Sequence, residues 1–324
     1  MALRTDLTEM FGIEHPIVLA PMGGVAGGVL ASAVSEAGGL GLIGSGAGER
    51  AWLDRECGLA AAGTERPWGI GLLIWAVDID TVRSVIERGP RAIMLSFGDP
   101  APYAAAIRDA GIRLLVQVTN TDEATRALDA GADVLIAQGS EAGGHCGHRA
   151  TLPFVPTVVD LAGATPVLAA GGIADGRGLA AALTLGAAGA LIGTRFEATH
   201  EALISVSEAK AIVEAHASDT ERNRALDIAR GSAWPAEYPA RTLRNPFLDR
   251  WHGREDELAG DSVALQEYRD AAEREDLNYA PVWAGEAVDL ITGLESAADL
   301  VGRIAHDAEK AIMDTAKRCA SAPE

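Results

Sequence analysis

Positive charge is scarce in this sequence, and so are cysteine and long apolar runs. Lysine occurs only at positions 210, 310 and 317, so arginine carries nearly all the basic charge. Twenty-seven basic residues face 46 acidic ones, for a formal net charge of −19. A chain this acidic is repelled by phosphate backbones and by anionic lipid, so no nucleic acid and no membrane are expected as partners. A local basic pocket for one small phosphate remains compatible with it. Cys57, Cys146 and Cys319 are odd in number, scattered, and free of any CxxC spacing. That excludes a disulfide framework and fits a reducing compartment, so a cytoplasmic location is expected. Arg4, Asp6 and Glu9 interrupt the start of the chain where a signal peptide needs apolar residues. No apolar run approaches the roughly 20 residues of a membrane span.

Glycine is plentiful, 37 among 324 residues, and it is clustered. Hydrophobic residues make up 48% and charged residues 23%, which is a globular composition. At about 150 residues per domain the chain would hold two, whereas an α/β barrel uses about 250 as one. From residue 16 to 195 the sequence alternates. Short apolar runs at 16–21, 40–46, 68–75, 92–97, 113–118, 134–139, 166–172 and 190–195 are separated by Ala-rich segments with helical spacing, among them 26–37, 78–88, 122–130 and 178–185. Each run is continuously apolar, as a parallel strand buried on both faces requires. Gly111, Gly131 and Gly186 follow helical segments as left-handed caps. Eight strands, each trailed by a helix, give the α/β class and a (β/α)8 TIM barrel.

After Phe196 the charge density rises. Segments 208–217, 221–229 and 261–274 read as exposed helices, and 231–253 is rich in aromatic and basic residues. Residues 196–285 are expected to form a small helical insertion, a lobe or lid over the C-terminal face. Residues 1–195 and 286–324 are expected to form the barrel, with a last helix over 297–320. Trp234, Tyr238 and Trp251 are candidates to cap an apolar pocket under that lid.

In such a barrel the site lies at the C-terminal strand ends, and phosphate sits at the loops after the seventh and eighth strands. Those ends read Ala170-Gly171-Gly172 and Gly193-Thr194. Glycine lets backbone N–H groups approach an anion closely, and Thr194 adds a hydroxyl. The first strand ends in Ala20-Pro21-Met22-Gly23, where sparse side chains suit a flat ring. After the sixth strand, Gly143-Gly144-His145 sets an imidazole on a strand-end loop. Imidazole is the side chain best suited to proton transfer near neutral pH, so His145 is the candidate catalytic residue. His148 reads as structural or peripheral. Glu141, His145, Cys146 and His148 lack a zinc spacing, so no metal is expected. Cys146 as a nucleophile would need a base and an electropositive site. The GxGxxG match at 39–44 is rejected as a dinucleotide fingerprint, because its glycines lie inside the second apolar run and no helix opens at the third.

These segments together resemble the nitronate monooxygenase family (formerly 2-nitropropane dioxygenases) and the related FMN-dependent enoyl-acyl-carrier-protein reductases. The motifs follow the family's order over residues 16–196, with weaker likeness at 241–245 and 283–286. The resemblance implies a TIM barrel with one non-covalent FMN. It implies that Ala20, Pro21, Met22 and Gly23 line the flavin ring, that Gly143 and Gly144 contact the flavin, and that Ala170, Gly171, Gly172, Gly193 and Thr194 belong to the phosphate end. His145 matches the family histidine that acts as base or hydrogen-bond donor. Two further cofactor positions depart from the pattern: Gly71 stands where many members have Asn, and Gln117 where many have Lys. Gln117 can donate a hydrogen bond but carries no charge.

The activity so implied is an FMN-dependent oxidoreductase that oxidises alkyl nitronates with O2. The alternative is an NAD(P)H-dependent FMN reductase acting on enoyl thioesters or quinones. An acidic carrier protein would then need a basic patch, for which Arg241, Arg244, Arg250 and Arg254 are candidates. A flavin-binding barrel without turnover is the third reading. A small-molecule substrate is expected, with O2 or NAD(P)H as the second, and a homodimer is compatible with the sequence.

Overall fold

The structure is a computed structural model that describes residues 3–46 and 48–320. The outer ends of the expected barrel segments, residues 1–2 and 321–324, lie outside the described residues. The strands are β1 (Ile17–Leu19), β2 (Gly41–Gly44), β3 (Trp68–Leu73), β4 (Ala92–Ser96), β5 (Arg113–Val118), β6 (Val134–Gln138), β7 (Gly144–His145), β8 (Val167–Ala170), β9 (Gly189–Ile192), β10 (Thr220–Asn223) and β11 (Ala240–Leu243). Eight of them form one sheet in the order β1-β9-β8-β6-β5-β4-β3-β2, and each apolar run of the sequence supplies one. Neighbours are parallel throughout, for example β5 with β6 and β8 with β9. Leu19 N–H donates to the Leu40 carbonyl at 3.0 Å and Leu40 N–H to that of Ile17 at 2.9 Å, which closes the sheet into a barrel.

Two apolar layers explain why the runs are unbroken. Along β5, Leu114 and Val116 pack outward with the helices, while Leu115 packs inward with Val18, Leu42, Met94, Ile136 and Leu168. Neither face meets water, so neither face is polar. Side chains alternate along a strand, so the inward layer continues to the strand ends. There it becomes Ala20, Gly71, Ser96, Gln117, Gln138, Ala170 and Gly193. The glycines at 111, 131 and 186 have φ of 72°, 81° and 92°, the left-handed turn that returns each helix to the next strand. Helix Ala297–Ala320 lies against helix Gly176–Thr184, and a Cβ on Gly176 would overlap the Ala308 backbone. The second-run glycines have the same packing role: a Cβ on Gly41 or Gly44 would overlap the backbone of Ala31 or Met22.

Residues 196–285 are not purely helical. Segment 221–229, read as one helix, is strand β10 followed by helix Ala225–Ala229. Antiparallel pairing of Thr220–Asn223 with Leu243–Ala240 overrides the local helix preference. In turn, β11 pairs with β7, the two-residue strand that follows β6. This part of the chain also has its own core of Leu226, Phe247, Leu248, Trp251, Leu258 and Tyr268. Trp251 is buried in that core. Among the described residues, no helix is long and apolar enough to cross a membrane.

Candidate active site

The inward strand ends leave a cavity of about 330 Å³ at the C-terminal mouth of the barrel. Ala20, Pro21, Met22 and Gly23 line it from β1, Gly71 from β3 and Gln117 from β5. Gly143, Gly144 and His145 reach it from the loop after β6. Ala170, Gly171 and Gly172 line it from β8, and Gly193 and Thr194 from β9. All the candidate residues therefore meet in one cavity, with a size typical of small-ligand sites.

Its floor is polar at one side. Gln117 Nε2 donates to Gln138 Oε1 at 3.1 Å, and Gln138 Nε2 donates to the His145 carbonyl at 3.1 Å. This buried amide relay ties β5 through β6 to the histidine loop. Gly71 is required by its neighbour, because a Cβ there would overlap the Pro21 ring. A larger residue in the third strand would displace the first-strand end.

The β8 and β9 ends fit an anion. Gly171 and Gly172 line the cavity with φ of 96° and 73°, the left-handed backbone that favours glycine. Among the described residues, the N–H groups of Gly171, Gly172, Gly193 and Thr194 have no acceptor. A Cβ on Gly171 would lie 2.9 Å from the Gly139 carbonyl oxygen, whereas one on Gly193 would find ordinary contacts at 3.5 Å. Thr194 Oγ1 accepts from Gly285 N–H at 3.0 Å. Glu141 is held by a neighbour: its carboxylate accepts from Thr151 N–H at 3.0 Å and from Thr151 Oγ1 at 2.9 Å. Backbone donors and a hydroxyl, with little side chain in the way, are what a phosphate terminus of a flavin mononucleotide requires.

His145 is held by the inserted segment. Its strand β7 pairs with Ala240 and Arg241 of β11. Arg241 is buried; its guanidinium donates to the Ser140 carbonyl at 3.0 Å and to Thr220 Oγ1 at 3.1 Å, and pairs with Glu286 at 2.7 Å. The His145 ring is only 8% exposed. It stacks on Trp234 with centroids 3.4 Å apart and planes 7° apart. Its Nε2 donates to the Asp227 carboxylate, 3.0 Å from Oδ2 and 3.2 Å from Oδ1. Arg230 Nη2 donates to Asp227 Oδ1 at 2.7 Å. Burial pushes the His145 pKa below its ordinary value, the Asp227 bond and charge oppose this, and the Arg230 charge adds to it. For Asp227 burial acts upward, but the His145 hydrogen bond and the charges of His145 and Arg230 outweigh it and hold the carboxyl low. A neutral imidazole thus faces an ionised carboxylate, and the proton on Nε2 leaves Nδ1 as the acceptor.

Other expectations resolve differently. Trp234 lines the cavity, but Tyr238 donates its hydroxyl to Glu123 at 2.9 Å and is buried away from it. No basic patch forms: besides buried Arg241, Arg244 pairs with Asp249 and Glu221, Arg250 with Glu267, and Arg254 with Glu257. Burial raises the Cys146 thiol, so it stays protonated and is no nucleophile. His148 is exposed beside Arg222 and does not line the cavity. Sequence reasoning missed Asp227, Arg230 and Trp283, which all lie at the cavity wall or on His145. It also missed Gln138, which the strand alternation from Ile136 could have placed inward, and Glu197. The Glu197 side chain lines the cavity wall, and burial, with Glu208 adding, lifts its carboxyl well above the ordinary range.

A family model described as nitronate monooxygenase matches residues 4–79 and 74–307. The chain is 41% identical over 207 residues to the (3aS,4S,5R,7aS)-5-hydroxy-7a-methyl-1-oxo-octahydro-1H-indene-4-carboxyl-CoA dehydrogenase of Mycobacterium tuberculosis, covering 63% of this chain and 58% of that protein. It therefore matches less than two thirds of that relative's length. It is 37% identical to nitronate monooxygenase npaC of Metarhizium robertsii over 93% of this chain and 92% of the relative. Among solved structures, FabK from Thermotoga maritima superposes with a TM-score of 0.84 at 32% identity, over 98% of each chain. The nitroalkane oxidase from Streptomyces ansochromogenes superposes with a TM-score of 0.80 at 28% identity, over 95% of this chain and 99% of that one.

Proposed function

Since the chain belongs to the nitronate monooxygenase family, we propose that it is an FMN-dependent oxidoreductase that oxidises alkyl nitronates, or the nitroalkanes that give rise to them, with O2. The observation that carries this reading is His145, which lines the glycine-rimmed cavity and is held from behind by Asp227. Gly171, Gly172, Gly193 and Thr194 would hold the phosphate, with Ala170 beneath it. Ala20, Pro21, Met22, Gly23, Gly71, Gly143 and Gly144 would border the ring, and Gln117 would offer it an uncharged amide. FMN when bound supplies the two-electron acceptor that passes electrons on to O2.

The chain's own residues supply the rest. Asp227 keeps the Nε2 proton of His145 in place and so fixes the tautomer. Nδ1 is then the atom that takes an α-proton from a carbon beside a nitro group. The stack on Trp234 leaves the imidazole no freedom to tilt, and the aromatic wall of Trp234 and Trp283 keeps water from the reacting carbon. Residues 196–285 act as the lobe that carries Asp227 and Trp234 to the barrel mouth. Three free cysteines suit a cytoplasmic enzyme, and a homodimer is its proposed assembly.

A second reading is favoured by the likeness to the Mycobacterium CoA dehydrogenase. In it the acidic carbon lies beside a thioester, and the enzyme is an NAD(P)H-dependent reductase of enoyl thioesters or quinones. Aerobic assays of the FMN-reconstituted protein separate the two. With propane-2-nitronate, O2 uptake and nitrite release are expected without added pyridine nucleotide. Turnover that needs NADH or NADPH and an enoyl-CoA or quinone would favour the second reading.

A further inference from the structure

Of the side chains lining the cavity among the described residues, Arg230 alone carries a permanent positive charge. It is fixed from two sides. Nη2 and Nε sit 2.7 Å and 3.3 Å from Asp227 Oδ1, and Cζ lies 5.0 Å from the centre of the Trp283 ring. The guanidinium is thereby held by a carboxylate and an aromatic face. Its Nη1 has no acceptor among the described residues, and the side chain keeps 31% of its surface exposed at the mouth.

Asp227 offsets this charge at Nη2 and Nε, and the acids nearby leave the Nη1 edge open to an incoming ligand. Glu141 is tied to Thr151. Burial shifts Glu197 toward its neutral form. Asp227 is shared between His145 and Arg230 and faces them both. In a chain of net charge −19, this guanidinium edge beside the proposed base is the cavity's cationic donor for an anion.

We propose that Arg230 is a substrate-binding residue, whose free guanidinium edge at Nη1 receives a planar three-atom oxyanion such as the nitronate group, next to His145. The inference rests on the functional reading above and assigns that site its recognition element. It also divides the work: the oxygens go to Arg230 and the α-carbon to His145 Nδ1. With a neutral nitroalkane, Arg230 stabilises the negative charge that develops on the oxygens as the proton leaves.

The test uses isobutyrate, an unreactive carboxylate close in shape to propane-2-nitronate, and its neutral counterpart isobutyramide. Binding to the FMN-loaded protein is measured by calorimetry at pH 8, where His145 is uncharged and offers no competing cation. Isobutyrate is expected to bind and isobutyramide not to bind measurably. Arg230→Gln should weaken isobutyrate at least tenfold, Arg230→Lys should restore part of the affinity, and the FMN affinity of both variants should match the parent. Equal binding of the two probes, or an Arg230→Gln variant that binds isobutyrate as the parent does, would overturn the proposal. So would FMN loss in Arg230→Gln, which would assign the arginine to the cofactor. A parent protein that binds isobutyrate through Arg230 yet turns over no nitronate would keep the anion site and sink the functional reading alone.

Discussion

Trp234 lies flat against His145, and Asp227 holds the same ring at its Nε2 edge. A face contact and an edge contact from the inserted segment thus fix one imidazole that the barrel presents. Neither contact comes from the barrel strands. Trp234 is in turn braced by Phe97, edge-on at 4.9 Å, and by Trp75 at 5.0 Å. Trp234→Ala should leave flavin binding intact and free the ring. Turnover with a neutral nitroalkane should fall roughly tenfold or more, since misplacement of a reacting group is costly. Unchanged kcat in this variant would mean that the stack does not position His145.

The Asp227 carboxylate predicts a pH signature. Only the neutral His145 accepts a proton, and burial already holds its pKa below the ordinary value. Activity with a nitroalkane should therefore rise with pH along a limb that lies below pH 6.5. Asp227 opposes the lowering, so Asp227→Asn should move that limb to still lower pH while kcat drops, because the tautomer is no longer fixed. His145→Ala should keep the yellow colour and lose roughly 10²–10⁴-fold in turnover. A pH–rate profile unmoved by Asp227→Asn would remove the carboxylate from the mechanism.

The two phosphate-end glycines should respond differently to substitution. Gly171 combines φ of 96° with a Cβ position 2.9 Å from a carbonyl oxygen, so Gly171→Val is strained and blocks the cradle. FMN should be lost on desalting. Gly193→Ala has room for its methyl within the chain, and should weaken FMN only as far as that methyl meets the phosphate. Equal retention of FMN by both variants, measured by flavin fluorescence after gel filtration, would place the phosphate elsewhere.

Glu197 carries a stability prediction with a definite sign. Its folded-state pKa is raised above the ordinary 4.5, so the folded protein favours the neutral acid. The penalty is absent below pH 4.5 and grows as pH rises toward the folded pKa. In that window Glu197→Gln should gain on the parent by about 1.4 kcal/mol per pH unit. Urea midpoints at pH 5 and pH 8 measure it. Midpoints that stay parallel would show that Glu197 is ionised in the folded protein.

The barrel was legible because burial on both faces writes an unbroken apolar run for each strand, as at Val134–Gln138 and Arg113–Val118. The strand-end residues were legible for the same reason: once the strands are placed, their last positions must open on the mouth. Asp227 and Arg230 were not. They lie 82 and 85 positions from His145 in an acidic, arginine-rich stretch, and only the β7–β11 pairing carries them there. Strand β10 escaped notice because Thr220-Glu221-Arg222-Asn223 has no apolar alternation and is ordered by its partner. The candidate basic patch does not form because acids pair with its exposed arginines, Glu257 with Arg254 from three residues on and Glu267 with Arg250 from another element.

Anaerobic stopped-flow absorbance of the FMN-loaded protein bears most directly on the proposed chemistry. Mixing with propane-2-nitronate should bleach the oxidised flavin band within a single turnover, while NADH and NADPH leave it intact over the same interval. Rapid bleaching by either pyridine nucleotide, with nitronate inert, would contradict nitronate oxidation as the function of this site.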